Sequence, residues 1–241
     1  MKAIIINSGL GLRMGRHTQD TPKCLLQLPE NETILRRQLR LLRNQGITRI
    51  ILTTGPFEEH LKHEAAFHFP ELNVLWVHNG LYATTNYIYS LFLIPQEYLD
   101  DDVIFIHGDL VFEEQVLQQL IESPHHNAVL VNACAPLPDK DFKGRVVQNQ
   151  VQKISIHLFG ENCFPLMPLY KFSQSAFLAW MAAIRRFVEQ GKVTVYAEDA
   201  LNTIFHQLPL AALYFETELC MEIDTVADLK KARTLLQENE A

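Results

Sequence analysis

An α/β domain built on a mainly parallel sheet is what this chain predicts, and three observations carry the prediction. Apolar runs of strand length recur at residues 2–7, 49–53, 73–78, 103–107 and 128–134. Amphipathic segments of helical length separate them, the alternation that a parallel sheet with crossover helices requires. The first four runs end in polar or glycine-bearing loops, Asn7-Ser8-Gly9, Thr54-Gly55-Pro56, His78-Asn79-Gly80 and His107-Gly108-Asp109. Ligands of such sheets gather at the carboxyl ends of strands, so these loops converge on one cleft. At 241 residues and 48% apolar content the chain suits one large domain with a packed core.

The first strand-like run opens into Ser8-Gly9-Leu10-Gly11-Leu12-Arg13-Met14-Gly15. A glycine-rich loop after a strand leaves backbone N–H groups free to face an anion, and Gly9 and Gly11 let the chain approach it closely. Ten residues after Arg13, Thr21-Pro22-Lys23 leads into the apolar Cys24-Leu25-Leu26. Pro22 biases Thr21 to extended geometry and holds Lys23 out of any helix. A planar guanidinium and a point charge beside such a loop suit a triphosphate better than a neutral ligand. Two better-known glycine motifs are excluded. The dinucleotide fingerprint needs glycine where Met14 stands, and the P-loop needs Gly-Lys-Ser/Thr where Gly15-Arg16-His17 stands.

Residues 79–91 place Asn79, Thr84, Asn86 and Ser90 at a strand end and helix start. Asp109 follows its strand through Gly108, which puts a carboxylate at the strand's C-terminal edge, either facing the cleft or serving as a turn or capping acid. After Ala135 the pattern changes to shorter strand-like pieces at 144–148, 151–157 and 166–172, then helical segments at 173–190 and 198–207. A last strand at 210–216 leads to Cys220-Met221-Glu222-Ile223-Asp224, whose period-two alternation sets Glu222 and Asp224 on one face. A helix follows, capped by Thr225 with Asp228 in its first turn.

A net charge of -7 argues against nucleic acid or an anionic membrane surface as the main partner, so phosphate binding must be local. Cys24, Cys134, Cys163 and Cys220 lie far apart without paired spacing, which suggests neither a disulfide framework nor a zinc site. No stretch approaches membrane-spanning length and the start does not read as a signal peptide, so a cytoplasmic protein is expected, without membrane insertion. His63 and His68 stand five apart, one too many for the zinc-protease motif, and no Gly-x-Ser-x-Gly elbow occurs. Arg36, Arg40 and Arg43 read as a solvated helix face.

The two-part pattern Gly-x-Gly-x-Arg-Met, a spacer, then Pro-Lys-x-Leu-Leu resembles the nucleotidyltransferases that activate sugar phosphates, phosphocholine and related phosphates or phosphonates. Within that family, Asn86-Tyr87-Ile88-Tyr89-Ser90-Leu91 is similar to a segment of phosphocholine cytidylyltransferases, and the nearest likeness is to those and to 2-aminoethylphosphonate cytidylyltransferases. The resemblance implies a Rossmann-like three-layer α/β/α fold of the GT-A-like nucleotidyltransferase type, with a mixed, mainly parallel sheet and a small β-rich acceptor-binding elaboration. It implies one domain, with the nucleotide on residues 1–135 and the acceptor region and C-terminal metal-ligand segment on 136–241. Departures are Asn7-Ser8, where relatives often carry two alanines, and Leu12, where many have Ser or Thr.

By the same resemblance Lys23 contacts the α-phosphate, Arg13 grips the β- and γ-phosphates, and magnesium sits on Asp109, Glu222 and Asp224. The nucleotide, expected to be CTP, is bordered by Asn7, Ser8, Gly9, Leu10, Gly11, Leu12, Asn79 and Thr84. Asn86 and Ser90 belong to the acceptor side, and the segments around Tyr170-Lys171 and Tyr196-Ala197-Glu198-Asp199 add an aromatic, a cation and acids suited to a zwitterionic phosphate or phosphonate. Either acid of the second segment equally fits a helix cap. Apolar patches on the late helices are compatible with a homodimer. The rival readings are a sugar-1-phosphate uridylyl- or thymidylyltransferase, a non-catalytic nucleotide-binding module, and, with Met14 against it, a dinucleotide-dependent oxidoreductase.

Overall fold

A computed structural model describes residues 1–238. Four strands, β1 (Lys2–Asn7), β2 (Arg49–Thr54), β3 (Asn73–His78) and β4 (Val103–His107), pair in parallel in the spatial order β3-β2-β1-β4. A two-residue turn takes β4 into the short β5 (Leu110–Phe112). Then come β6 (Ala128–Asn132), β7 (Lys143–Val147), β8 (Gln150–Ser155), β9 (Cys163–Phe172), β10 (Ala211–Phe215) and β11 (Cys220–Glu222). All but β5 and β11 join one nine-stranded sheet, continuing from β4 as β9-β6-β10-β8-β7, while β5 and β11 form a two-stranded ribbon of their own.

Alternation along β1 explains the layers. Ile4 and Ile6 face one core and Ala3 and Ile5 the other, because successive strand side chains point to opposite faces. Over the first face lie α3 (Tyr87–Phe92), α5 (Gln174–Glu189) and α6 (Ala197–Asn202), and over the second α1 (Ile34–Asn44), α2 (Glu58–His68) and α4 (Glu114–Glu122). The result is the expected α/β/α sandwich with a mixed sheet. A third, smaller core gathers Met14, Leu26, Val111 and Ile223 under α7 (Val226–Glu238), and it ties the start of the chain to its end.

The β-rich segment after Ala135 does not stand apart from the sheet. Its strand β9 runs antiparallel between β4 and β6, with Leu169 in one core and Tyr170 in the other. Burial on both faces is what a central strand needs. The predicted final helices also shift: the segment 198–207 is helical only to Asn202, and a turn follows.

No helix among the described residues is long and apolar enough to cross a membrane. All four cysteines are free, with Cys134 exposed and Cys24, Cys163 and Cys220 buried. Burial pushes the Cys24 and Cys220 thiols far above their ordinary range. Native protein should therefore react rapidly with Ellman's reagent at Cys134 alone, and guanidinium should expose all four thiols. Fast reaction at Cys24 or Cys220 in the native state would contradict this packing.

Candidate active site

The loop after β1 turns through Gly11, whose φ of 62° and ψ of 28° lie in the left-handed region that glycine adopts without strain. The Gly11 carbonyl accepts hydrogen bonds from the Met14 amide at 3.0 Å and the Thr18 hydroxyl at 2.9 Å. Met14 is buried in the small third core, so it anchors the loop while Leu12 and Arg13 remain exposed. Together with Asn79, Tyr82, Asn86, His107, Asp109 and Asp224, this loop lines a cavity of about 580 Å³ at the carboxyl ends of the strands.

Pro22, extended at φ -65° and ψ 149°, delivers Lys23 into the cavity floor. The Lys23 ammonium donates to Asp109 Oδ2 at 2.6 Å and to Asp224 Oδ1 at 2.9 Å. Arg13 Nη1 lies 2.7 Å from Asp224 Oδ2. Two cations thus balance two carboxylates, the four groups arriving from three distant parts of the chain. Burial opposes charge on Lys23, yet the two acids outweigh it and raise its pKa; Lys23, with His107, likewise overrides burial to hold Asp109 low.

Asp109 owes its place to the β4–β5 turn. The Gly108 amide donates to the Ile6 carbonyl at 3.0 Å, and the Ile223 amide to the Asp109 carbonyl at 2.9 Å. Position 108 admits only glycine, since an added Cβ would lie 1.9 Å from Asn7 Oδ1. Asp228, not Asp224, serves the helix end: Asp228 Oδ2 accepts from the Thr225 amide at 2.7 Å, while the Asp228 amide donates back to Thr225 Oγ1 at 3.3 Å. Asp224 is thereby released to face the cations.

Beside Asp109, one ligand atom each from His107, Asp109 and Glu222 lies within 4.8 Å of the others, a grouping able to hold a metal ion. Burial pushes Glu222 up to about 7, with the charges of Asp109 and Asp224 adding to the effect and the His107 hydrogen bond opposing it. His107 Nδ1 stands 3.4 Å from Glu222 Oε1, and this pairing outweighs burial to raise the imidazole pKa. Three buried atoms around the floor, Asn7 Nδ2, His107 Nε2 and Asp109 Oδ1, have no hydrogen-bond partner. Such atoms ask for a ligand's polar groups.

The remaining expected residues divide by depth. Asn86 lines the cavity while capping α3, its Oδ1 accepting from the Tyr87 amide at 2.7 Å. Asn79 donates to Thr85 Oγ1 at 3.1 Å and to Ser90 Oγ at 2.9 Å. Ser90 is fully buried and bonds Ser8 Oγ at 2.6 Å, so it braces the loop and does not reach an acceptor. Thr84 turns outward to the Leu81 carbonyl, and its neighbour Thr85 takes the lining position. Glu198 is 1% exposed and receives the hydroxyls of Tyr87 and of the equally buried Tyr170, which puts Glu198 and Tyr170 beneath the cavity wall.

Lys171 requires a larger correction. It pairs in register with Ile104, near the start of β4, and its ammonium donates to the Ile121 and Ser123 carbonyls at 2.8 and 2.9 Å. That is the opposite end of the strands, away from the cavity. Conversely, sequence reasoning passed over His107, Tyr87, Lys140, Asp141 and Phe142, all of which line it. His107 had a visible signal as the polar residue closing the apolar run Val-Ile-Phe-Ile; the segment 140–142 had none.

Comparison with known proteins bears on the family and the fold. A family model described as MobA-like NTP transferase domain matches residues 3–241. The chain is 31% identical over 148 residues, 61% of its length, to the CMP-5'-(3-aminopropyl)phosphonate synthase of Streptomyces rubellomurinus. It is 36% identical over 104 residues, 43% of its length, to the choline-phosphate cytidylyltransferase of Streptococcus pneumoniae. The matched segments span only 23% and 43% of those two relatives. The solved structure of the Streptococcus pneumoniae CTP:phosphocholine cytidylyltransferase superposes over 98% of both chains at a TM-score of 0.78 and 21% identity, a likeness of fold.

The Gly108 contact makes a direct check. Gly108→Ala should lower stability by about 1–3 kcal/mol, the usual cost of overpacking, because Asn7 and the Ile6 carbonyl must give way. Urea unfolding measures it, and an unchanged midpoint would mean that β1 and the β4–β5 turn are not in this contact.

Proposed function

Because the chain belongs to the MobA-like NTP transferase family, we propose that it is a CTP-dependent cytidylyltransferase whose acceptor is a small, amine-bearing phosphate or phosphonate. The observation that carries this reading is Lys23, held between Asp109 and Asp224 at the mouth of the glycine loop. Relatives named for cytidylyl transfer to phosphocholine and for an aminoalkylphosphonate product support the choice of CTP and of an amine-bearing acceptor.

The reaction follows from this charge arrangement. A phosphate or phosphonate oxygen of the acceptor, already ionised at neutral pH, attacks the α-phosphorus of CTP in line. The new P–O bond forms as the bond to the β-phosphate bridging oxygen breaks, and pyrophosphate leaves with that electron pair. No general base is required. Lys23 swings from its carboxylates to the α-phosphate, and the Gly9–Gly11 amides and Arg13 receive the β- and γ-phosphates. Those amides suit the task, since Gly9, Leu10 and Gly11 donate to no other group among the described residues.

The donor set fits a divalent cation of the magnesium type, since carboxylate oxygens dominate it and Asp109 Oδ1 is buried without a partner. Asp109 and Asp224, with Glu222 beside them, would hold Mg²⁺, which when bound supplies Lewis-acid polarisation of the phosphate oxygens. At the acceptor end the rings of Tyr87 and Phe142 pack on His107, the partner of Glu222, and Tyr196 packs on both of those rings. An alkylammonium group suits this aromatic and acidic wall better than a hexose does.

Pyrophosphate release should be measured with Mg²⁺, crossing CTP, UTP, dTTP and ATP against phosphocholine, 2-aminoethylphosphonate and glucose-1-phosphate. Turnover with CTP and an amine-bearing acceptor is the expected result. A preference for UTP or dTTP with the hexose phosphate would replace it with a sugar nucleotidyltransferase, and nucleotide binding without any turnover would favour the binding module. Lys23→Ala and Asp109→Ala should each lower turnover by roughly 10²–10³-fold, the scale of losing one preorganised charge. Near-normal rates in either variant would remove that residue from the mechanism.

A further inference from the structure

Helix α1 faces the sheet with Leu35, Leu39 and Leu42, yet the same buried face carries Gln38, which is 1% exposed. Its Nε2 donates to the His107 carbonyl at 3.0 Å and to the Leu110 carbonyl at 2.8 Å. Those two carbonyls flank Gly108 and Asp109, the pair that joins β4 to β5. A planar amide nitrogen holds its two hydrogens at a fixed angle, so bonding both carbonyls sets the span of the turn between them. The Ile6 carbonyl and the Ile223 amide hold Gly108 and Asp109 from the other sides. Gln38 therefore closes the set of contacts that aims the Asp109 carboxylate.

We infer that Gln38 is a positioning residue for the metal-binding acid Asp109, acting from helix α1 through the two carbonyls that bracket it. The inference rests on the proposed cytidylyl transfer and extends it to a residue outside the cavity. A filler role accounts for the position poorly. Leucine serves at neighbouring sites on the same helix face, and Gln38 Oε1 is itself buried without a hydrogen-bond partner. A buried, half-satisfied amide is costly to keep, and its two directed donors are what it provides in return.

Gln38→Met tests this, because methionine matches the length and approximate volume of glutamine and removes both donors along with the unpaired oxygen. Three quantities should be read in wild type and variant: Mn²⁺ binding by electron paramagnetic resonance in the presence of α,β-methylene-CTP, kcat and KM for CTP, and the thermal midpoint. The expected result is about tenfold weaker Mn²⁺ binding and about tenfold lower kcat, with KM for CTP within twofold and only a small change in the midpoint. Gln38→Glu keeps the shape and, when protonated, one donor. It should fall between the two, and it serves as the measurement if the methionine variant does not fold. Mn²⁺ binding and kcat within twofold of wild type in a folded variant would overturn the inference and leave Gln38 a packing residue. A wild-type protein that neither binds Mn²⁺ with the nucleotide analogue nor turns over CTP would overturn the parent reading as well, so the two failures are distinguishable.

Discussion

Everything in the cavity is arranged around one ammonium group. Lys23 sits between Asp109 and Asp224, and Arg13 completes the square by pairing with Asp224. Without ligand the two cations and two anions cancel, which allows charged groups to stay partly buried in a protein whose net charge is -7. In the proposed reaction a metal–triphosphate complex would offer its cation to the acids and its phosphates to Lys23 and the loop. Its entry would exchange one set of ion pairs for another. Nucleotide alone or metal alone would break the internal pairs and satisfy only some of the groups released.

Much of this was legible because it is local. The glycine loop, Arg13 and Lys23 lie within 23 residues of the N-terminus, and the structure brings all of them to one cavity. Period-two alternation was enough to place Glu222 and Asp224 on one face, and the three-layer fold followed from the alternation of runs. Strand direction was not legible. Because β9 runs antiparallel between β4 and β6, its later residues run to the end of the strands away from the cavity, and Lys171 goes with them. Ser90, Tyr170 and Glu198 were located in the right region at the wrong depth, since polarity alone does not distinguish a group that faces a ligand from one that braces the group that does.

That bracing makes up a second layer around the site. Glu198 receives two tyrosine hydroxyls and lies 3.9 Å from His107, and burial raises its pKa. The Ser8–Ser90–Asn79 chain holds the glycine loop to the start of α3 in the same manner. Buried polar groups satisfied in this way restrict neighbouring side chains to one arrangement. The cavity wall is consequently set before any ligand arrives, and precision at the reacting centre is supplied by residues that never touch it.

The two-stranded ribbon of β5 and β11 has a consequence for how the molecule comes into being. It joins residue 110 to residue 222, and with it the last acid reaches a lysine 201 positions earlier in the chain. Loops that long close slowly, and the central strand β9 must insert between β4 and β6 as well. During synthesis, Lys23 and Asp109 emerge long before the residue that completes their charge balance. The glycine loop is thus among the first parts of the polypeptide to be made and the cavity among the last to be finished, so a chain cut short of β11 leaves the ribosome with its loop present and the acid that pairs with Lys23 and Arg13 absent.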